Sequence, residues 1–226
     1  MYKNKSPDYK KLYEIVTKLY NKTEHFNHGP FDETFFTLRV YECSKELIKR
    51  LNKSIKKEEL LVASILHDVG KIKMDSKKLC NKHKVLDTAH DEWMKHGELG
   101  ISIAEDILKK ENYSKEFIKT VSYLIKNHPK RGNEMKNKTL ELQILQDADL
   151  LADCGFAGFI RPFLYCGKFK SSSVIGSIKY LKNQKDRVEN EDSLNLEISK
   201  QIAKEKMKVQ KHLVSEISKD IESDLL

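Results

Sequence analysis

Leu60-Leu61-Val62-Ala63-Ser64-Ile65-Leu66-His67-Asp68-Val69-Gly70-Lys71 is apolar at almost every position through Leu66, then closes on an adjacent imidazole and carboxylate. A helix that is hydrophobic on all sides must be buried on all sides, so this stretch predicts a core helix from Glu58 to Val69, ended by Gly70. Neighbouring helical side chains diverge by about 100°. His67 and Asp68 could therefore reach one ion from two sides at the helix end. A carboxylate taken into a core needs a partner, and a cation is one such partner. A plainer account is a His-Asp pair that caps the helix and is satisfied by backbone groups. Spacing alone does not separate the two.

Working outward, only 4 prolines and 9 glycines interrupt 226 residues, so long helices are expected. Leu12, Ile15, Val16, Leu19 and Tyr20 recur at helical spacing between Tyr9 and Tyr20. Asn27-His28-Gly29-Pro30 breaks the chain, and Asp32 is placed to cap a helix running to about Leu51, with Phe36, Val40, Cys43, Leu47 and Leu51 inward. Residues 72–88 read as a polar loop with Lys-rich patches. Helices are expected over about 91–110, 114–127, 139–153, 156–166 and 174–183. Leu194 to Leu226 reads as one long amphipathic helix with Val209, Leu213, Ile217, Ile221 and Leu225 on its apolar face. That strict four-residue spacing fits packing onto its own domain better than a coiled-coil dimer seam. No alternating strand pattern competes, so the class is all-α.

Composition excludes several classes. At 39% apolar and 34% charged residues the chain is too hydrophobic for wholesale disorder. No apolar run approaches the roughly 18 residues of a membrane span, and the N-terminus lacks the apolar core of a secretory signal. Cys43, Cys80, Cys154 and Cys166 form no CxxC pair, which reads as reduced thiols in a cytoplasmic protein. The formal net charge of +8 suits phosphorylated ligands, although most of it reads as solvated lysine. The Lys-rich stretch at 71–84 has no groove-reading motif beside it, so nucleic acid is not the expected partner.

Polar residues on apolar faces mark where chemistry could sit. His96 lies one turn before the stripe Leu99, Ile103, Ala104 and Ile107, and His128 ends the apolar run Val121, Leu124 and Ile125. Either could be an ordinary structural histidine. In Gln146-Asp147-Ala148-Asp149-Leu150, Ala148 centres the apolar face and the two aspartates flank it; periodicity leaves open which one points inward. His67, Asp68, His96, His128 and one of these aspartates make a His-plus-carboxylate set suited to Mn²⁺, Fe²⁺, Zn²⁺, Co²⁺ or, with waters, Mg²⁺. Lys71, Arg39 and Arg161 could balance phosphate charge.

These motifs resemble those of the HD-domain metal-dependent phosphohydrolases. Leu66 to Lys71 is similar to the family's signature, and Gln146 to Leu151 to its second acidic motif. Cys154 to Phe163 resembles the sequence following that motif in a bacterial branch that includes nucleotide pyrophosphohydrolases. The resemblance spans about residues 26 to 170. It implies one HD-like helical bundle over 1–226, with a helical extension at 174–226. It implies His67, Asp68 and Asp149 as metal ligands, with Asp149 preferred because it precedes the Leu. His96 and His128 would support these or bind a second ion. Asp68 and Lys71 would be catalytic, and Arg39, Lys71 and Arg161 would meet the substrate.

One position departs from the pattern. The family's first metal-binding His falls where this chain has Phe36, in Phe36-Thr37-Leu38-Arg39-Val40. A phenyl ring cannot coordinate, so His28, Asp32 or Glu33 would have to substitute, or the ligand is lost. The expectation is a divalent-metal-dependent phosphohydrolase acting on a nucleotide or another small phosphorylated compound. The competing expectation is a nucleotide-binding regulatory module that has lost turnover. Neither a membrane nor a particular oligomer is implied.

Overall fold

The computed structural model describes residues 6–23, 33–74, 91–168, 174–189 and 193–221. Among these, the chain is helical throughout its ordered elements, with no strand. Helix α1 (Tyr9–Tyr20) starts where the Asp8 carboxylate accepts the Lys11 amide at 3.0 Å. It is followed by α2 (Glu33–Leu51) and α3 (Lys57–Leu66), then a 3₁₀ turn (Val69–Lys73). After the short α4 (Asp91–Met94) come α5 (His96–Lys110) and α6 (Lys115–Asn127). The chain ends with α7 (Leu140–Ala152), α8 (Phe156–Lys168), α9 (Val174–Glu189) and α10 (Glu197–Ile221). Ser114 and Thr139 cap α6 and α7 through their hydroxyls, each accepting an amide at 3.2 Å. Caps of this kind satisfy the orphan amides of a first helical turn.

Helix α3 is the hub. Every residue from Leu60 to Leu66 is buried, and α1, α2, α6 and α7 pack around it. Its apolar run from Leu60 to Leu66 is thus walled on each side, and Ser64, the one polar residue in that run, is satisfied by Ser44 Oγ at 2.8 Å. Helix α2 lies along α7, α5 pairs with α6, and the 3₁₀ turn sits on α5. This arrangement delivers the ends of α3, α5 and α6 and the last turn of α7 to one place.

Two glycines permit the convergence. A Cβ on Gly70 would sit 1.9 Å from the His96 carbonyl oxygen, and one on Gly97 would sit 2.8 Å from the Lys126 carbonyl oxygen. Both contacts are backbone to backbone, so no side chain can swing aside. They lock the turn after Asp68 to the start of α5, and α5 to the end of α6.

Several boundaries differ from the periodicity. Helix α3 ends at Leu66 rather than Val69, because the chain tightens into a 3₁₀ turn where Gly70 meets α5. The 91–110 segment breaks at Lys95 into α4 and α5. Helix α9 runs to Glu189 rather than 183; its second half is polar, yet it contains no Gly or Pro to stop it. In α10 the buried stripe is Ser199, Ala203, Met207 and Gln210, and Val209 is 51% exposed. The expected Val209 face is thus not the one that anchors the helix. Rotation is set instead by Gln210 Oε1 accepting the Gly155 amide at 3.0 Å, with small Ser199 and Ala203 allowing close approach. Helix α10 still packs on its own chain, against α2, α7, α8 and α9. Residues 75–90, which include Cys80, and 222–226, which include Leu225, lie outside the described residues. No helix among the described residues is long and apolar enough to cross a membrane.

Gly70→Ala is expected to cost about 2–3 kcal/mol through overpacking. That corresponds to a melting-temperature fall of roughly 4–12 °C for a chain of this size. Circular dichroism melts check this, and a melt unchanged within 1 °C contradicts the backbone contact.

Candidate metal centre

His67 and Asp68 leave α3 in sequence, His96 opens α5, His128 caps the end of α6, and Asp149 comes from the last turn of α7. The three imidazoles share one device. Nδ1 of His67 lies 2.9 Å from the Ser64 carbonyl oxygen, that of His128 lies 2.7 Å from Ile125 O, and that of His96 bonds Trp93 O. A carbonyl only accepts, so each Nδ1 carries a proton and donates it. Each Nε2 is then left to present a lone pair inward, the orientation that metal-binding histidines adopt.

Those lone pairs converge in a buried pocket. His67, Asp68, His96 and His128 are all at most 4% exposed. Nε2 of His96 and Nε2 of His128 stand 2.9 Å apart. Oδ1 of Asp68 is 3.2 Å from His96 Nε2 and 3.6 Å from His128 Nε2. His67 Nε2 is 3.1 Å from Asp68 Oδ2 and 3.8 Å from Asp149 Oδ1. Despite that proximity His67 Nε2 has no hydrogen-bond partner: with the proton on Nδ1, it faces the carboxylate as a second acceptor. A buried acceptor without a donor costs about 1–3 kcal/mol. Two facing imidazole nitrogens and an orphaned third, around a carboxylate, demand a positive charge. Ligand atoms of His67, Asp68 and His128 all fall within 4.8 Å of one another, close enough to hold one ion. The donor set fits a borderline divalent metal, with imidazole and carboxylate and no thiolate.

Electrostatics agree with this demand. Burial by itself drives the Asp68 carboxyl upward, but the His67 and Lys71 charges outweigh it and hold Asp68 well below the usual carboxylate range. Burial likewise opposes a second proton on His67, and Asp68 more than compensates, so that imidazole is raised, and a metal ion would take the place of that proton on Nε2. Burial pushes His96 down to about 3 and lowers His128. Both thus remain neutral, the state that can coordinate.

Two cations flank the pocket. Lys71 Nζ donates to Asp68 Oδ2 at 2.6 Å and lies 4.8 Å from the Trp93 ring centre. Arg131 pairs with Asp149 and donates to the Gln146 carbonyl at 2.8 Å. The Gln146 amide donates to the carbonyls of Asn127 and His128 at 3.2 and 3.3 Å and also to Lys130 O. It therefore fixes the turn that carries His128. Arg131 and Trp93 had no periodic or motif signal in the sequence, and Gln146, the first residue of the acidic motif, had no role read from it. Only their partners across the fold reveal them.

The remaining sequence candidates are placed as follows. Asp149 faces the histidines, whereas Asp147 faces away. Asp147 oxygens accept the Asn195 amide at 2.8 Å and the Leu196 amide at 2.9 Å, tying down the start of α10. Arg39 does not join the cluster: its guanidinium donates to Ala152 O at 2.7 Å and Cys154 O at 3.3 Å, closing the end of α7. Arg161 pairs with Asp153 at 2.5 Å and lies over the Phe36 ring. Phe36 is buried, with its ring centre 6.2 Å from that of His67. His28 and Asp32 lie outside the described residues, as does the Glu33 side chain.

A family model for the HD domain matches residues 37–153, from within α2 to the end of α7, the span that holds every convergent ligand. The chain is an HD-domain protein. HD domains bind divalent metals, and membership supports a metal-dependent phosphohydrolase in general. Solved structures share the HD fold over nearly the whole length. Bacillus subtilis YpgQ superposes with a TM-score of 0.64 at 16% identity, covering 94% of this chain and 95% of its own. YpgQ in complex with ADP gives 0.61 at 16% identity, covering 93% and 97%. An HD-superfamily hydrolase from Bacillus thuringiensis gives 0.62 at 18% identity, covering 94% and 95%. No curated protein matches the sequence.

The two aspartates of this HD domain should separate experimentally. Asp147→Ala removes the acceptor of two part-buried amides, those of Asn195 and Leu196, at a cost of up to about 1–3 kcal/mol each. It should lower the melting temperature while leaving Mn²⁺ affinity, measured by titration calorimetry, within twofold. Asp149→Ala should weaken Mn²⁺ at least tenfold. The reverse pattern contradicts the assignment.

Proposed function

We propose that this protein is a divalent-metal-dependent phosphohydrolase acting on a nucleotide or another small phosphorylated compound. The carrying observation is the inward convergence of three imidazole Nε2 atoms on Asp68, with the His67 nitrogen left without a hydrogen bond. His67, Asp68 and His128 would hold the ion, with His96 and Asp149 completing or supporting the set. The chemistry such an ion supplies is Lewis acidity toward a phosphoryl oxygen and a lowered pKa for a water.

The chain's own groups account for the rest. Lys71 Nζ, held against Asp68 and two aromatic rings, offsets the charge that builds on a phosphoryl group. Arg131 keeps the Asp149 carboxylate ionised: burial raises that group, and the guanidinium with the neighbouring imidazoles brings it below its ordinary value. The backbone carbonyls behind the three imidazoles hold the rings in one orientation, so no reorganisation is needed when substrate arrives. The formal charge of +8 favours encounter with an anionic substrate. A nucleotide is the favoured class on the support of YpgQ, whose structure was solved with ADP.

A second reading rests on Phe36, which stands at the position of a family ligand. On that reading the protein binds a nucleotide without turnover. The intact remainder of the set favours catalysis.

Nucleotides and phosphoesters assayed with Mn²⁺, Mg²⁺, Co²⁺ and Zn²⁺ test the proposal by phosphate release. Turnover should vanish with chelator and return with metal. Asp68→Ala and His67→Ala should each cost more than the roughly 10- to 100-fold typical of losing a supporting group. Activity that survives His67→Ala contradicts the proposal. Nucleotide binding without hydrolysis under any metal supports the regulatory reading instead.

A further inference from the structure

Phe36 occupies a buried place beside His67 yet offers no lone pair, and its environment shows what it does instead. The Arg161 guanidinium carbon lies 4.2 Å from the Phe36 ring centre, and Lys71 Nζ lies 5.7 Å from the same centre. The ring's negative face therefore gathers two cations at the edge of the ligand set. Arg161 is pinned on a second side by Asp153 at 2.5 Å, from the turn that ends α7. Lys71 is pinned by Asp68 at 2.6 Å and by the Trp93 face at 4.8 Å. A guanidinium held between an aromatic plane and a carboxylate loses little freedom on meeting a second anion. Its five donors in a planar fork suit a phosphate as well as a carboxylate.

We propose that Phe36 is a positioning residue whose ring seats Arg161, with Lys71, as a phosphate clamp beside the metal centre. The position thus serves anion binding in place of metal coordination. This inference rests on the phosphohydrolase reading for its location, but not for its test. Cation–π contacts in partly desolvated sites are worth about fivefold to thirtyfold in affinity. Loss of the ring face is expected to weaken phosphate binding by that order and to leave metal affinity alone.

Titration calorimetry on the full chain, with Mn²⁺ alone and with inorganic phosphate in the presence of Mn²⁺, tests it. Phe36→Leu and Phe36→Met keep an apolar filler and remove the π face; Phe36→Tyr keeps the face. Wild type and all three variants should bind Mn²⁺ within twofold of one another. Phosphate should weaken at least fivefold in Phe36→Leu or Phe36→Met and be retained within twofold in Phe36→Tyr. Arg161→Ala should weaken phosphate similarly, and the Phe36→Leu/Arg161→Ala double variant should be no weaker than Arg161→Ala. Phosphate affinity unchanged in both apolar variants, or losses that multiply in the double variant, overturns the seat. Failure of the wild type to take up Mn²⁺ contradicts the metal reading. The phosphate comparison, repeated without metal, still decides the role of Phe36.

Discussion

Three imidazoles turned by backbone carbonyls so that their bare nitrogens face one buried carboxylate form the constraint on which the rest depends. Nothing in an apolar core favours that arrangement by itself. Neutral nitrogens 2.9 Å apart repel, and the His67 nitrogen forgoes a hydrogen bond. Asp68, held ionised by His67 and Lys71, adds the negative charge that a divalent cation needs, and such a cation would satisfy every group at once. The site is thus built for a positive charge, and the surrounding helices are built to deliver the site.

Delivery depends on steric detail more than on hydrophobicity. Helix α3 is buried on all sides and can only end among its neighbours, so His67 and Asp68 emerge inside the protein. Gly70 and Gly97 let the turn after Asp68, the start of α5 and the end of α6 meet through their backbones. Gln146 then gathers the carbonyls of Asn127, His128 and Lys130, linking α7 to the turn that ends α6. Asp147 and Asp149, two residues apart, look in different directions: one ties down α10 and the other approaches the histidines.

Much of this was legible in the sequence, and the reasons differ by element. The all-α class and most helix positions followed from period-3.6 apolar spacing, because burial of one face is what that spacing encodes. The His67-Asp68 pair was visible because polar residues ending an apolar helix need a partner. Other features were hidden. Which aspartate faces the histidines depends on helix rotation of about 100°, which periodicity leaves undetermined; the family resemblance alone favoured Asp149. The break at Lys95 and the 3₁₀ turn at Gly70 arise from contacts across the fold. Arg131 and Trp93 carry no local signal, since an arginine in a loop and a lone tryptophan read as surface and core. Helix α10 read as a single stripe through Val209, whereas Gln210 with small Ser199 and Ala203 turns a different, partly polar face inward. Arg39, a basic residue near the motif, was drawn to the carbonyls that end α7, a partner that sequence spacing does not reveal.

The central claim is that one cation sits among His67, Asp68 and His128. An anomalous difference map from crystals of the full chain grown with Mn²⁺ tests this most directly. The account predicts a single strong peak within bonding distance of His67 Nε2, His128 Nε2 and an Asp68 oxygen, with His96 or Asp149 adjacent. No peak at that position, or a peak held only by surface carboxylates, would contradict it.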